Sequence, residues 1–246
     1  MSGLAAEDYL AGIYRLQAAG APATTGLVAD RRHVSPASTT AMFKRLARDG
    51  LVTYREYEGV TLTAEGQRLA LAVVRRHRLV ERFLTDMLRM PWESVDDLAD
   101  QMEHALPEAV VDALEALLGS PFTCPHGYPI PDREGHLAQV PLRRLAELRA
   151  GEAALVARVD ERVPGLLAYL NGVDVTLGAR VSVEAVNGVD DTMTLRVGAR
   201  AVVVGPRITE AVSVAPWRGA DGPAAGGVDA GAVAGAGLGD RRGTPG

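Results

Sequence analysis

Residues 35–63 read SPASTTAMFKRLARDGLVTYREYEGVTLT, and their punctuation decides the fold. Ser35-Pro36 is a helix start. The serine hydroxyl can accept an otherwise orphaned backbone N–H, and proline at the first helical position gives up a donor that would have no partner there. The helix continues through ASTTAMFKRLARD and ends at Gly50, a residue suited to the left-handed backbone beyond a helix C-terminus. LVTYREYEGVTLT follows as two short β-like runs around a Glu58-Gly59 turn. Thr63 then caps a long helix from about Ala64 to Arg89.

Upstream, EDYLAGIYRLQA at 7–18 places Leu10, Ile13, Tyr14 and Gln17 at helical spacing, with acids in the first turn. GAPATT breaks that helix, and Thr25 reads as the N-cap of a short helix, TGLVADRR. Helix, helix, turn, helix and hairpin is the order of a winged helix-turn-helix. A generic helical bundle carrying a hairpin is the competing reading, and the consecutive start, stop and hairpin signals favour the winged helix. Its recognition helix presents Ser35, Pro36, Ala37, Ser38, Thr39, Thr40 and Lys44 to a major groove. Lys44, Arg45, Arg48 and Arg55 are placed for phosphates. No Arg, Asn or Gln stands in the first turns, so the residues name no operator sequence.

Downstream, residues 93–118 read as two helices, with Pro107 starting the second. SPFTCPHGYPIPDREG at 120–135 is loop, and PLRRLAEL is a further short helix. From about 154 the pattern alternates: ALVARV, ARVSVEAV, TMTLRV, AVVV, AVSVAP. Glycines between these runs point to a small antiparallel β-domain, an SH3-like barrel. From 218 onward the chain is Gly/Ala-rich and low in complexity, which predicts a disordered tail. The fold class is thus mainly α with a C-terminal β domain. The expected divisions are 1–63 for DNA binding, 64–150 for a helical domain, 151–216 for the β domain and 217–246 for the tail.

The net charge of −5 conceals an asymmetry. Residues 1–89 hold 13 basic and 9 acidic side chains, about +4, whereas residues 90–130 hold 8 acidic and no basic ones, about −8. A basic module suits phosphate and an acidic one suits a cation. The single cysteine, Cys124, excludes an internal disulfide and fits a reducing cytoplasm. The N-terminus is amphipathic and acidic rather than a signal peptide, and no apolar run approaches a membrane span.

In DLADQMEHAL, Asp100, Glu103 and His104 are spaced to share one helical face. His77 and Glu81 in RRHRLVERF are spaced i, i+4 on the preceding helix, and Asp96 lies one turn before Asp100. Two antiparallel helices can bring these imidazoles and carboxylates to one point. Each pair alone is more often a solvated, salt-bridged face than a set of ligands. Cys124 and His126 read as parts of a structural loop, and His33 and His136 as incidental.

EDYLAGIYRL, the Ser-Pro helix ending KRLARDGLV, the hairpin ending TLTAEGQRLA, RRHRLVERFLTDML and the EH of DQMEHAL occur in a set order and spacing. Together they resemble the diphtheria toxin repressor and manganese transport regulator family, over about residues 5–135 and more weakly to about 215. The resemblance implies a winged-helix domain, a helical metal-binding and dimerisation domain, and an SH3-like (FeoA-like) third domain. It implies metal ligands at Asp8, His77, Asp100, Glu103 and His104, and a second candidate site at Glu81 and Asp96. The iron-sensing branch carries methionine and cysteine at the positions of Asp8 and Asp100. Two carboxylates there favour Mn²⁺ as cofactor, with Fe²⁺ the alternative. The manganese branch has an acid at the position of Ala11, and alanine cannot ligate.

The expected protein is a cytoplasmic, metal-dependent repressor that binds double-stranded operator DNA as a homodimer. Leu98, Met102, Leu106, Val110, Val111, Leu114 and Leu117 are available for burial between subunits. An enzyme such as a metallohydrolase is the rival from another class, and no nucleophile motif or phosphate-binding Gly loop supports it. A winged-helix regulator indifferent to metal is the third reading.

Overall fold

The structure is a computed structural model that describes residues 3–217. The expected disordered tail falls almost wholly outside those residues. The described residues divide into two compact units, one formed by residues 3–84, 94–120 and 129–139, the other by 85–93, 121–128 and 140–217.

The first unit opens with α1 (Leu4–Ala18), α2 (Thr25–Arg32) and α3 (Pro36–Arg48), then the hairpin β1 (Val52–Arg55) and β2 (Gly59–Leu62). Ser35 caps α3, its Oγ accepting from Ser38 N at 3.1 Å. Gly50 has φ +72°, and Leu51 N reaches back to Leu46 O at 2.9 Å, closing the helix as its glycine requires. The cap of α2 is Thr24, not Thr25, with Oγ1 3.3 Å from Leu27 N. Leu10, Ile13 and Leu16 of α1, Val28 of α2, Phe43 and Leu46 of α3, and Val52 and Val60 of the hairpin form the core of this head.

The hairpin turns through Tyr57, at φ +67°, rather than through Gly59, because Gly59 pairs in register with Arg55. Glycine is needed at 59 for a different reason. A Cβ there would lie 2.7 Å from Ala23 O at a φ of +104°. Thr63 then couples the hairpin to α4 (Ala64–Asp86): its Oγ1 donates to Gly50 O at 2.8 Å and accepts from Gly66 N at 3.1 Å. The helix ends three residues before the expected Arg89.

After a 3₁₀ turn at Trp92–Ser94, α5 spans only Asp96–Met102 and tightens into a 3₁₀ turn over Glu103–Ala105 before α6 (Glu108–Leu117). Pro107 accounts for the break. It has no N–H to bond Glu103 O, and it forces Leu106 into an extended conformation, φ −89° and ψ 116°. The expected single helical face for Asp100, Glu103 and His104 is therefore replaced by a helix end and a turn. Buried Arg75 of α4 clamps α6 through Glu115 at 2.7 Å and Asp112 at 3.5 Å.

The second unit is an antiparallel sheet in the order β3-β8-β4-β5-β6-β7. Its strands are β3 (Arg143–Arg144), β4 (Ala153–Val159), β5 (Arg180–Asn187), β6 (Thr192–Val197), β7 (Arg200–Val204) and β8 (Val212–Pro216), with α7 (Leu166–Gly172) and α8 (Pro206–Ala211) in the connections. In β4, Ala154 and Val156 point inward, then a register shift between Val156 and Arg158 makes Val159 the next inward residue. PLRRLAEL is not a helix. It supplies β3 and a 3₁₀ turn, with Leu145 and Leu148 buried in the sheet's core. Tertiary pairing with β8 overrides its helical propensity.

Candidate metal centre and nucleic-acid interface

Three segments of the first unit bring the acidic and imidazole side chains together: α1, the middle of α4, and α5 with its terminal turn. Asp8 sits one turn into α1 and His104 in the 3₁₀ turn, and Asp8 Oδ1 contacts His104 Nε2. Glu103 Oε1 lies 3.2 Å from the same nitrogen, so Asp8, Glu103 and His104 converge as one group. The other oxygen of Glu103 is 2.9 Å from His77 Nδ1, which also meets Asp100 Oδ1 at 3.1 Å. The opposite edge of the His77 ring faces Asp96 Oδ1 at 3.1 Å and Glu81 Oε1 at 3.6 Å.

The five residues expected at one metal therefore do not meet at one point. Glu103 stands between His104 and His77, and His77 serves the Glu81–Asp96 group as well as the Asp100–Glu103 group. Each group gathers donor atoms within 4.8 Å of one another.

His77, Glu81 and Glu103 are each at most 4% exposed. Burial and the nearby charge of Arg15 push the His77 imidazolium down. The hydrogen bonds to Asp100, Asp96 and Glu103 outweigh them, so it titrates well above the ordinary histidine range. Burial lifts the Asp100 carboxyl, but its bond to His77 and the charges of His77 and Arg15 hold it below the usual range. Burial also opposes the charge on Arg15, and Asp100, Glu103, Asp96 and Glu81 overcome that opposition.

Sequence reasoning missed three members of this network. Glu7 Oε2 lies 3.3 Å from His104 Nδ1 and 2.9 Å from Arg76. Arg15 approaches Asp100 at 3.7 Å, and Arg32 of α2 holds Asp8 Oδ2 at 2.5 Å. Arg15 follows Asp8 by seven residues and so shares its helical face, a signal that was legible. Arg32 and Glu7 carried none, since their partners lie far away in sequence. Ala11, which stands where the manganese branch carries an acid, is buried in a cluster with Val73 and Val74.

The buried donors fit a divalent cation. Six carboxylates surround the two imidazoles: Glu81 and Glu103 are buried, Glu7 and Asp8 partly buried, and Asp96 and Asp100 about half exposed, with Arg15, Arg32 and Arg76 among the cations set against them. A cation there would relieve repulsion among carboxylates that burial otherwise makes costly.

Ser35, Pro36, Ala37 and Ser38 are exposed at the start of α3, and Lys44, Arg45 and Arg48 are exposed along it. Thr40 is half-buried. Thr39 corrects the expected DNA-reading set: it is fully buried, and its Oγ1 meets Tyr9 OH at 3.3 Å. Position 39 lies one turn before Phe43, on the face that packs into the core. Arg55, at the wing, pairs with Glu58 at 3.3 Å.

Elsewhere, His126 is buried, with Nε2 2.9 Å from Trp92 O and its ring stacked on Trp92. Buried Cys124 bonds through its backbone to Tyr128 O. His33 and His136 are exposed, His136 against Asp132 at 2.9 Å.

Comparison with known proteins gives the same order of parts. Residues 3–60 match the iron dependent repressor N-terminal DNA binding domain, residues 63–132 the iron dependent repressor metal binding and dimerisation domain, and residues 143–216 the FeoA domain. The chain is 36% identical over 190 residues to the iron-dependent repressor IdeR of Mycobacterium tuberculosis, spanning 72% of this chain and 83% of that protein. It is 37% identical over 143 residues to the diphtheria toxin repressor of Corynebacterium jeikeium, 58% of this chain and 60% of that one. A solved manganese-dependent transcriptional repressor in complex with manganese superposes with a TM-score of 0.79 at 32% identity, covering 86% of this chain and all of the other. The chain belongs to the diphtheria toxin repressor family of metal-dependent transcriptional repressors.

Proposed function

We propose that this chain is a manganese-responsive repressor, a regulator rather than an enzyme, which binds operator DNA as a homodimer in the cytoplasm. The observation that carries the reading is the pair of donor groups linked through Glu103, Asp8–Glu103–His104 and His77–Asp100–Glu103, built from three segments of one compact unit. Asp8, Asp100, Glu103 and His104 with His77 would hold the metal, and Glu81 and Asp96 would complete a second position around the far edge of His77. The metal, when bound, supplies positive charge that ties α1 of the DNA-reading head to α4 and α5. Every donor in the three groups is oxygen or nitrogen, and carboxylate-rich ligation suits Mn²⁺. Iron is the second reading, favoured by the 36% identity to an iron-dependent repressor. Exposed Val110 and Leu117 on α6 offer apolar surface for a second copy. The proposed divisions are a DNA-binding part to residue 63, a helical part to about 142, not the expected 150 because β3 and Leu145 belong to the sheet, and a β domain to 216.

Selectivity is tested by replacing Asp8→Met and Asp100→Cys together and measuring the concentration of Mn²⁺, Fe²⁺ and Zn²⁺ that half-saturates DNA binding. The double variant should shift its ranking toward the later, softer ions. An unchanged ranking overturns the manganese assignment.

A further inference from the structure

Asp8 uses its two carboxylate oxygens differently. Oδ1 faces His104 Nε2, inside the cluster of metal donors, while Oδ2 accepts from Arg32 Nη2 at 2.5 Å. Arg32 is the last residue of α2 and stands three residues before Ser35, the cap of the recognition helix. The residues between are tightly turned: His33 is left-handed at φ +52°, and Val34 N returns to Ala29 O at 3.1 Å. The Arg32 guanidinium also lies 5.0 Å from the centre of the Tyr9 ring. Tyr9 continues the path. Its hydroxyl meets Thr39 Oγ1 of α3 at 3.3 Å in the core, and its ring packs edge-on against Phe43 of α3 at 6.3 Å. Arg32 Nε is buried with no hydrogen-bond partner, so the side chain is held by Asp8 and the Tyr9 face.

We propose that Arg32 is a positioning residue that couples the metal to the recognition helix. It grips Asp8 Oδ2 while Oδ1 stays turned toward the donor cluster, so that fixing Asp8 would also fix the end of α2 and the start of α3. This rests on the functional reading given above. Without metal, Asp8 is tied to the cluster only through an imidazole and neighbouring carboxylates repel it, so the grip of Arg32 fixes little. A metal held by Asp8 and its neighbours would fix Asp8, and the guanidinium would pass that restraint to α2 and α3. Coupling of this kind is a difference in binding free energy between two states and is measured as such.

Arg32→Met keeps much of the apolar stem against Tyr9 and removes the hydrogen bond and the charge, and Arg32→Gln is a second, polar version. Mn²⁺ binding without DNA is measured by calorimetry. DNA affinity, with Mn²⁺ and with chelator, is measured on a duplex selected from a random-sequence pool with the wild-type chain and Mn²⁺. Thermal melts confirm that each variant folds, and either variant suffices. The expected result is retained saturable Mn²⁺ binding at the wild-type stoichiometry, with the metal-induced gain in DNA affinity reduced at least roughly tenfold. Arg32→Lys should restore part of that gain, because it keeps the charge but not the planar contact on Tyr9. A folded variant that keeps the full wild-type gain overturns the proposal. So does one that loses Mn²⁺ binding altogether, since Arg32 would then build the site rather than transmit from it. A wild-type chain with no saturable Mn²⁺ site refutes the functional reading itself, a failure visible before any substitution is made.

Discussion

Glu103 is 3% exposed, with one oxygen 3.2 Å from His104 Nε2 and the other 2.9 Å from His77 Nδ1. It is the side chain common to the Asp8–His104 and the His77–Asp100 groups. Glu103→Gln keeps the shape but removes the charge and turns one acceptor into a donor. Calorimetric titration with Mn²⁺ should show the affinity falling by at least about tenfold, some 1.4 kcal/mol. Glu81→Gln should weaken only binding at the His77–Asp96 edge. Equal isotherms for Glu103→Gln and the parent would show that the bridging carboxylate is not a ligand. His77 gives a pH test of the metal-free protein. Its imidazolium is favoured in the fold by three carboxylates, so its folded pKa lies above the ordinary 6.5. A raised pKa contributes stability that is fully present below the unfolded value and is lost as pH rises through the folded one. In chelator, the thermal midpoint should fall as pH is raised from about 6 upward, and His77→Gln should flatten that slope. A parent midpoint that rises over the same range contradicts the assignment.

At the scale of elements, the site depends on a helix that stops early. Were α5 to continue beyond Met102, Glu103 and His104 would follow the helical spiral, and the 3₁₀ turn that aims them would be gone. Pro107→Ala restores the missing N–H and removes the ring clash. Far-ultraviolet circular dichroism should then show more helix, while Mn²⁺ affinity drops by roughly tenfold. Greater helicity with unchanged affinity would mean that the turn does not position the donors. The proline was read from the sequence as a helix start, and its second effect, on the helix before it, was equally legible. Gly59 shows the converse. The sequence marked it as a turn residue, but the close approach of Ala23 that demands glycine comes from packing, which local spacing does not reveal.

Across the whole molecule, what was legible follows from what is local. Ser35-Pro36, Gly50 and Thr63 act on their own neighbours, and the winged helix could be read from them. The alternation from about 154 likewise marked a β domain, though PLRRLAEL was misread because only β8, some 70 residues on, makes it a strand. Six of the expected donors were legible by type and spacing, and Asp8 through the family resemblance alone. Their division into linked groups around Glu103 was not, since it depends on the angle between α1, α4 and the end of α5. Thr39 was misplaced for a related reason: its hydroxyl suits DNA, but only the packed position of Tyr9 shows that it faces inward.

The central claim is that occupancy of this cluster controls DNA binding. The most direct measurement compares the affinity of the full chain for a duplex selected from a random-sequence pool in saturating Mn²⁺ and in excess chelator, at one fixed ionic strength because phosphate contacts make affinity salt-dependent. Metal should strengthen binding by at least about tenfold, within the usual range of coupling between two sites. Equal affinity in metal and in chelator would contradict it.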